Sequence, residues 1–561
     1  MTVHGIDLGT TNSVIARTDP DGRPEVLAGM TGDEIVPSVV LFAGAGEHVV
    51  GEGARRQARL DPDHVCTLVK RRMGDSEWRF LAHGKSWSAP AVSALILGGL
   101  TADAAFATGE PVTSAVITVP AYFGDEERRA TTLAGVYAGL DVRAVLSEPI
   151  AAALSYGFGR LDGAIDINKN DGHETVLVYD LGGGTFDATV IELADRRITV
   201  LAVDGDHQLG GADFDERIAL HLAREFCAQN PDAEDPLDDS VGAQALVLAA
   251  ERAKRELSDA ESTTVVVAHD GVRASIPLTR AQFEDMTSGL LERTLRLTAA
   301  CLDAAAGRGV STVDHVLLVG GSSRMPMVAR ALRERLDLAP RLHDPDLAVA
   351  RGAALYGAKV ELERLVTDDL ITRGRLRDGA PLEDADTRDL TDSCRRVADA
   401  TGMTVDRVRR SVEIRVDTVV SRGFGVLAVN DMVGALENSW LVHRNDRLPI
   451  KVRRSFGTMR TDQDQINLAV VEQQGMDASP RPEDSKLLVA GHIGPIPPGY
   501  EAGTEVQVTF EMGFDGVLHV TAFHVGAGLP LSLTAETGAT LSQAEVARER
   551  RQIQRSRRRD E

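Results

Sequence analysis

A chain of 561 residues is too long for one hydrophobic core and is expected to divide into three or four folding units. With 43% hydrophobic and 26% charged residues it has the composition of a globular protein, and its formal net charge of −23 argues against non-specific binding along nucleic acid or an anionic membrane. Cys66, Cys227, Cys301 and Cys394 lie far apart without CxxC spacing, which points to neither a disulfide framework nor a zinc site and fits a reducing, cytoplasmic setting. No uninterrupted apolar run approaches a membrane span, and the start at Met1–Asp7 lacks the basic and apolar regions of a signal peptide. Lysine occurs only at 70, 85, 169, 254, 359, 451 and 486, and arginine supplies every other cation. Where lysine persists, a compact ammonium is expected to matter.

Residues 1–360 alternate strands, glycine turns and helices, the pattern of an α/β fold. Val3 to Leu8 reads as a strand with Ser13 to Ala16 as its hairpin partner. Val116 to Val119 is a short buried strand ending at Pro120, and Asp125 opens a helix with apolar positions at Ala130, Leu133, Ala134, Val136 and Tyr137. Thr175 to Asp180 is a further strand, followed by a glycine turn and a return strand through Val190, Ile191 and Leu193. Asp270-Gly271 signals a hairpin, and Val316 to Val319 runs into Gly320-Gly321. Over 361–418 charged helical segments dominate, with Leu390, Val397, Ala398 and Val408 spaced for one packed face, as in a small helical insert or linker. Over 419–535 period-two alternation, as in Val506 to Phe510, and the turn Asp515-Gly516 predict an all-β sandwich with Pro495, Pro497 and Pro498 in an extended loop. Residues 536–561 read as a short basic C-terminal helix and tail opened by the capping box Ser542-Gln543-Ala544-Glu545. Its arginines make either a solvated, fraying terminus or a basic contact surface.

The strongest signal is an internal echo. Asp7-Leu8-Gly9-Thr10-Thr11-Asn12-Ser13 returns in kind as Asp180-Leu181-Gly182-Gly183-Gly184-Thr185-Phe186-Asp187, each copy between two strands. Small residues in a tight turn let backbone N–H groups approach phosphate oxygens, and an aspartate at the strand end can hold Mg2+ through water. Singly, either turn could close an ordinary hairpin. Two of them facing each other would clamp a polyphosphate. A third element, Leu317-Leu318-Val319-Gly320-Gly321-Ser322-Ser323-Arg324, offers flat backbone for an adenine and an arginine to stack on it.

These three elements resemble the actin-like ATPase superfamily. Val116 to Phe123, Ser147-Glu148-Pro149-Ile150-Ala151-Ala152-Ala153-Leu154, Leu209-Gly210-Gly211-Ala212-Asp213-Phe214-Asp215 and Glu251 to Ser258 resemble, more narrowly, the DnaK-type 70-kDa heat-shock chaperones. That resemblance implies a two-lobed, duplicated ribonuclease-H-like nucleotidase followed by a β-sandwich, and an ATPase coupled to chaperone activity. It implies ATP held by Gly9, Thr10, Thr11, Asn12, Gly182, Gly183, Gly184, Thr185, Gly210, Gly211, Gly320, Gly321, Ser322, Arg324 and Asp346, with Glu251, Lys254, Arg255 and Ser258 at the adenosine. Asp7 and Asp180 would hold hydrated Mg2+, Lys70 would reach the γ-phosphate and attacking water, and Glu148 and Asp187 would orient water and metal ligands. Pro120 and Arg128 match a relay from nucleotide to the second domain. In the β module, Ser421 to Val426, Phe456-Gly457-Thr458, Ile466-Asn467-Leu468 and Asp515 to Ala522 fall in matching order. Val426, Ala428, Val429, Phe456, Met459, Ile466 and Leu468 would then bind an extended apolar peptide segment, unless they are ordinary sandwich core.

Three departures stand out. The family's short apolar linker is absent, with Val360 to Val416 in its place; the multi-helix lid is missing; and Ala144 stands where an arginine often meets J-domain co-chaperones. Coupling between domains, and use of a J-domain partner or a nucleotide-exchange factor, are therefore open from sequence. Other classes on the same fold are a small-molecule kinase, a filament-forming actin relative, and an ATP-sensing scaffold whose β module binds one dedicated partner. The β module and Val119-Pro120-Ala121-Tyr122-Phe123 argue against the kinase, and the helical spacer and β module would obstruct the compact longitudinal repeat of a filament.

Overall fold

A computed structural model describes residues 2–30, 32–161, 173–194, 196–430, 434–475, 478–513, 518–534 and 543–559. The turn Asp515-Gly516 and the capping residue Ser542 lie outside them.

The first 360 residues build the same sheet twice. In lobe I the strand order is Asp141–Ser147, Ser114–Val119, His4–Leu8, Asn12–Thr18, Pro24–Val26. In lobe II it is Pro340–Leu342, His315–Val319, His173–Leu181, Phe186–Ala194, Arg197–Asp206. Each lobe has a parallel pair at its centre and an antiparallel hairpin beside it, with Ile6 opposite Ile15 in one and Tyr179 opposite Ala188 in the other. Central strands read as continuous apolar runs because both faces are covered: every residue of Ser114–Val119 is buried. The helices Glu148–Leu161 and Ala348–Thr372 pack together between the sheets. A Cβ on Gly352 would lie 1.7 Å from the carbonyl oxygen of Ala151, so only glycine allows that approach. The Asp270-Gly271 hairpin forms as read, with both residues at positive φ (48° and 76°).

Each lobe also carries an outer insertion. Lobe I has a small sheet that includes Val40–Gly44 and Glu47–Val50, plus the helix Ala89–Thr108. Ser93 and Asp103 interrupt that helix's apolar run, yet its mean hydropathy reaches 1.5 and its length of 20 residues suits a membrane span. Here it is a core helix, with Val92, Leu95, Ile96 and Leu97 buried. Lobe II has the helix Ser240–Asp259 and the hairpin Ser262–His269/Val272–Thr279.

The helix Ala348–Thr372 continues past residue 360, and its Leu362, Val366 and Leu370 form one core with Val397, Ala398 and Val408 from the helices Thr387–Thr401 and Val405–Glu413. Two four-stranded antiparallel sheets follow, ordered Leu436–Val442, Phe424–Val429, Ile466–Gln473, Ser485–Ile493 and Ile450–Gly457, Glu505–Met512, Leu518–His524, Leu529–Thr534. Their inner faces, including Val470, Val508, Phe510 and Val520, make the sandwich core.

Two readings of the sequence need correction. A connecting strand does exist: Arg415–Asp417 pairs in parallel with Arg197–Thr199 at the edge of the lobe II sheet, and Val416 packs against that lobe's core. Three residues are too few to show alternation, so the segment left no periodic signal. The tail is not a fraying terminus: its helix Gln543–Arg555 packs on lobe I, and Arg557–Arg558 pairs in parallel with Glu47–His48.

Candidate nucleotide site

The two glycine turns meet across the interlobe cleft. A Cβ on Gly183 would fall 1.5 Å from Thr11 Oγ1, and one on Gly184 would fall 2.2 Å from Thr10 Cγ2. Hydroxyl-bearing residues of lobe I therefore lie directly on bare backbone of lobe II. Ser38, which sequence gave no reason to notice, supports the first turn by donating to the Gly9 carbonyl at 2.8 Å. The cleft is a cavity of about 1570 Å³. Its walls include Asp7, Gly9, Thr10, Thr11, Asn12, Lys70, Glu148, Asp180, Gly182, Gly183 and Thr185, together with Glu251, Lys254, Arg255, Ser258, Gly320, Gly321, Ser322, Arg324 and Asp346. Gly184, Gly210, Gly211 and Asp187 stand behind that wall. A Cβ on Gly210 would strike the Gly184 backbone, and Asp187 is buried beside the Tyr122 amide.

Four carboxylates crowd the phosphate end. Lys70 Nζ donates to Glu148 Oε1 at 2.5 Å, and both side chains are buried. Burial, then the Glu148 charge, push Asp7 up to about 7, with Lys70 pulling it back. The same causes push Asp187 up to about 8 and hold Asp180 well above the usual carboxylate range. The geometry holding these acids is specific: Thr118 donates to Asp7 Oδ1 at 3.1 Å, and the Tyr122 N–H donates to Asp187 Oδ1 at 3.0 Å.

At the other end Lys254 Nζ donates to the Gly211 carbonyl at 2.9 Å and to Asp215 Oδ2 at 2.8 Å. Arg324 pairs with Asp346, and Arg255 with Glu251. Arg71 carries more than its sequence context announced. Its Nε donates to the Gly184 carbonyl at 2.8 Å, and its guanidinium grips Asp213, which also accepts from the Gly210 N–H. Arg71 thus ties the Lys70 segment of lobe I to the second turn of lobe II. The aspartates two apart in Ala212-Asp213-Phe214-Asp215 were the available signal.

This fold and these turns agree with the comparison to known families: residues 3–372 and 419–561 match the family described as Hsp70 protein. The chain belongs to the Hsp70 family. Members of the Hsp70 family are ATPases and, in general, ATP-dependent chaperones that bind ATP with Mg2+, peptide substrates and co-chaperones. The matched stretches leave out 373–418, the segment that holds the two insert helices and the Arg415–Asp417 strand.

The residues of this Hsp70 protein suit such a nucleotide. Thr11 Oγ1 is buried with no hydrogen-bond partner among the described residues, and Asp215 Oδ1 is likewise unpaired. Raised carboxylates around one ammonium form a site that favours an added cation. Among the described residues no three His, Cys, Asp or Glu side chains are arranged to hold a metal ion directly, and Asp7 and Asp180 at the two strand ends would reach one through water.

The β module meets the two-lobed domain at Tyr122. The Arg422 and Arg444 guanidinium carbons each lie 5.2 Å from the Tyr122 ring centroid. Arg422 bridges Glu127 of lobe I at 2.8 Å and Glu472 of its own module at 3.1 Å, while Arg444 pairs with Asp204 of lobe II at 2.6 Å. Lys486 reaches Glu126, and Ser421 Oγ donates to the Phe123 carbonyl. Arg128 Nε donates to that same carbonyl at 3.1 Å, and Pro120 accepts from the Phe123 N–H at 3.2 Å. The residues read as peptide-binding separate by depth. Val426 and Leu468 are buried in the sandwich core, Ala428, Val429, Phe456 and Ile466 are half-buried, and Met459 is 64% exposed. Ala144 is half-buried on the Asp141–Ser147 strand, packed against core residues.

Proposed function

We propose that this protein is an ATP-dependent molecular chaperone that binds extended apolar peptide segments at its β module and hydrolyses ATP between the lobes. The phosphates would rest on Thr10, Thr11, Thr185 and the turn backbones, with the adenosine between Lys254, Ser258 and Arg324. When bound, Mg2+ would supply the positive charge that balances the triphosphate, and Asp7 and Asp180 would hold its waters. Lys70, fixed by Glu148, presents an ammonium where charge builds on the γ-phosphoryl group. The catalytic contribution is positioning and electrostatics. Four widely separated cysteines without CxxC spacing are the ground for including a reducing, cytoplasmic location in this proposal. A J-domain co-chaperone or exchange factor remains part of the proposal, with Ala144 favouring a recruitment surface other than the usual arginine.

One observation carries the coupling: Tyr122 has its amide on Asp187 behind the cleft wall and its ring centroid 5.2 Å from each of two guanidinium groups of the β module. A nucleotide that moves Asp187 moves the joint. Dissociation rates of a fluorescent apolar peptide, measured with ATP, with ADP and without nucleotide, test this. ATP should speed release over ADP, and Tyr122→Ala should erase the difference. Equal rates in all three conditions would remove the chaperone cycle while leaving the nucleotidase.

A second reading, an ATP-sensing scaffold for one dedicated partner, is favoured by the place of the C-terminal helix. Among the described residues it packs on lobe I, while Met459 of the β module is left 64% exposed. Nucleotide-independent, saturable capture of one folded partner, without affinity for short apolar peptides, would select it.

A further inference from the structure

We propose that the C-terminal segment 543–559 is a built-in wall of the nucleotide cleft, and that Arg558 is a positioning residue through which the tail sets how long nucleotide stays. The proposal rests on the nucleotide site described above.

The tail is anchored three ways. Ile553 packs against the lobe I core. Glu549, only 4% exposed, accepts from Ser88 Oγ at 2.7 Å, and Ser88 is the N-cap of the helix Ala89–Thr108. A carboxylate at that end is favoured by the helix dipole. Then the chain becomes a strand: the Arg557 N–H donates to the Gly46 carbonyl and the Arg559 N–H to the His48 carbonyl, both at 2.8 Å, while His48 Nδ1 lies 2.7 Å from Ser556 Oγ.

This strand delivers Arg558 to the cleft. Its Nη1 donates to Asp103 Oδ1 at 2.7 Å and to the Gly99 carbonyl at 3.0 Å, and Nη2 donates to Asp103 Oδ2 at 3.2 Å. Asp103, Arg558 and Arg559 all line the same cavity as the phosphate turns. Asp103 in turn backs the turn at Gly29, where an added Cβ would lie 3.3 Å from Asp103 Oδ2, and Gly29, Met30 and Asp33 line the cavity too. Both guanidinium groups are already paired, Arg559 with Glu47 at 3.0 Å, so they hold the wall and do not grip phosphate. Without Arg558, Asp103 becomes a buried acid stripped of its bidentate partner beside the Gly29 turn, and the rim must rearrange. Because coupling free energy is reciprocal, nucleotide in the cleft should also hold the tail down.

The test uses the full chain and a fluorescent ADP analogue chased with unlabelled ADP. Arg558→Ala should raise the dissociation rate about tenfold with binding amplitude retained. The charge swap Asp103→Arg with Arg558→Asp should bring the rate back to within about twofold, which a merely destabilised fold would not do. As an independent readout, trypsin should release the arginine-rich tail several-fold more slowly when ADP is bound. Unchanged dissociation in Arg558→Ala and in a chain ending at Thr534, or tail cleavage indifferent to bound ADP, overturns the proposal. No binding amplitude in the wild-type chain overturns the nucleotide reading and this inference with it, so the two failures are told apart.

Discussion

The two lobes share one topology, yet each is completed differently. Both place a hairpin turn at the cleft, and both send one buried lysine from an outer insertion: Lys70 against Glu148 in lobe I, Lys254 against Asp215 in lobe II. The C-terminal half then finishes each lobe with a short parallel strand, Arg415–Asp417 on the lobe II main sheet and Arg557–Arg558 on the lobe I small sheet. Duplication supplies a symmetric clamp. The differences decide what each side does, because Lys70 stands among the crowded carboxylates and Lys254 stands where the adenosine is expected.

That contrast breaks first at Lys70. Lys70→Ala should lower single-turnover ATP hydrolysis about 1000-fold while calorimetry finds nucleotide affinity little changed. The next largest effect is at the joint. Arg422→Ala strands Glu127 and Glu472, costing docking about 3 kcal/mol, so small-angle scattering should show a larger particle and ATP should no longer speed peptide release. Lys254→Ala should weaken nucleotide binding about tenfold, near 1.4 kcal/mol, with hydrolysis at saturation unaltered. If the two lysine variants exchanged these effects, the assignment of chemistry to lobe I would be wrong.

The smallest effect is on pH. Burial pushes Glu472 up to about 7 from its ordinary 4.5, Arg422 pulls it back, and Glu127 and Glu126 push it further. Undocking would remove the push of Glu127 and Glu126, so the docked form should keep the Glu472 proton to higher pH than the undocked form. Docking should weaken as pH rises from about 4.5 to about 7 and level off above, and Glu472→Gln should flatten that profile. A docking equilibrium equally steep in the variant would place the titration elsewhere.

The phosphate turns were legible because each is local. An apolar strand, small residues and an aspartate announce one turn within a few positions, and the second copy confirms it. Lys70 and Lys254 stood out against an arginine-rich background. Ser38 was not legible, since it reaches Gly9 from 29 residues away with no pattern around it. Arg71 was hidden by its neighbours: Val69-Lys70-Arg71-Arg72 shows three cations, and only the fold says which one spans the lobes. In the β module, alternation identified strands but could not separate Val426, buried, from Met459, exposed, as peptide contacts.

By itself the sequence determined the duplicated α/β lobes, the opposed glycine turns and the sandwich, because short-range period and turn chemistry specify them. Only the tertiary structure decided that Tyr122 joins the β module to Asp187, that Arg415–Asp417 is a strand, and that the tail closes onto lobe I. Two- and three-residue strands carry no periodicity of their own. They become strands because a distant sheet edge offers unpaired N–H and C=O groups, and that partner is chosen by the folded chain.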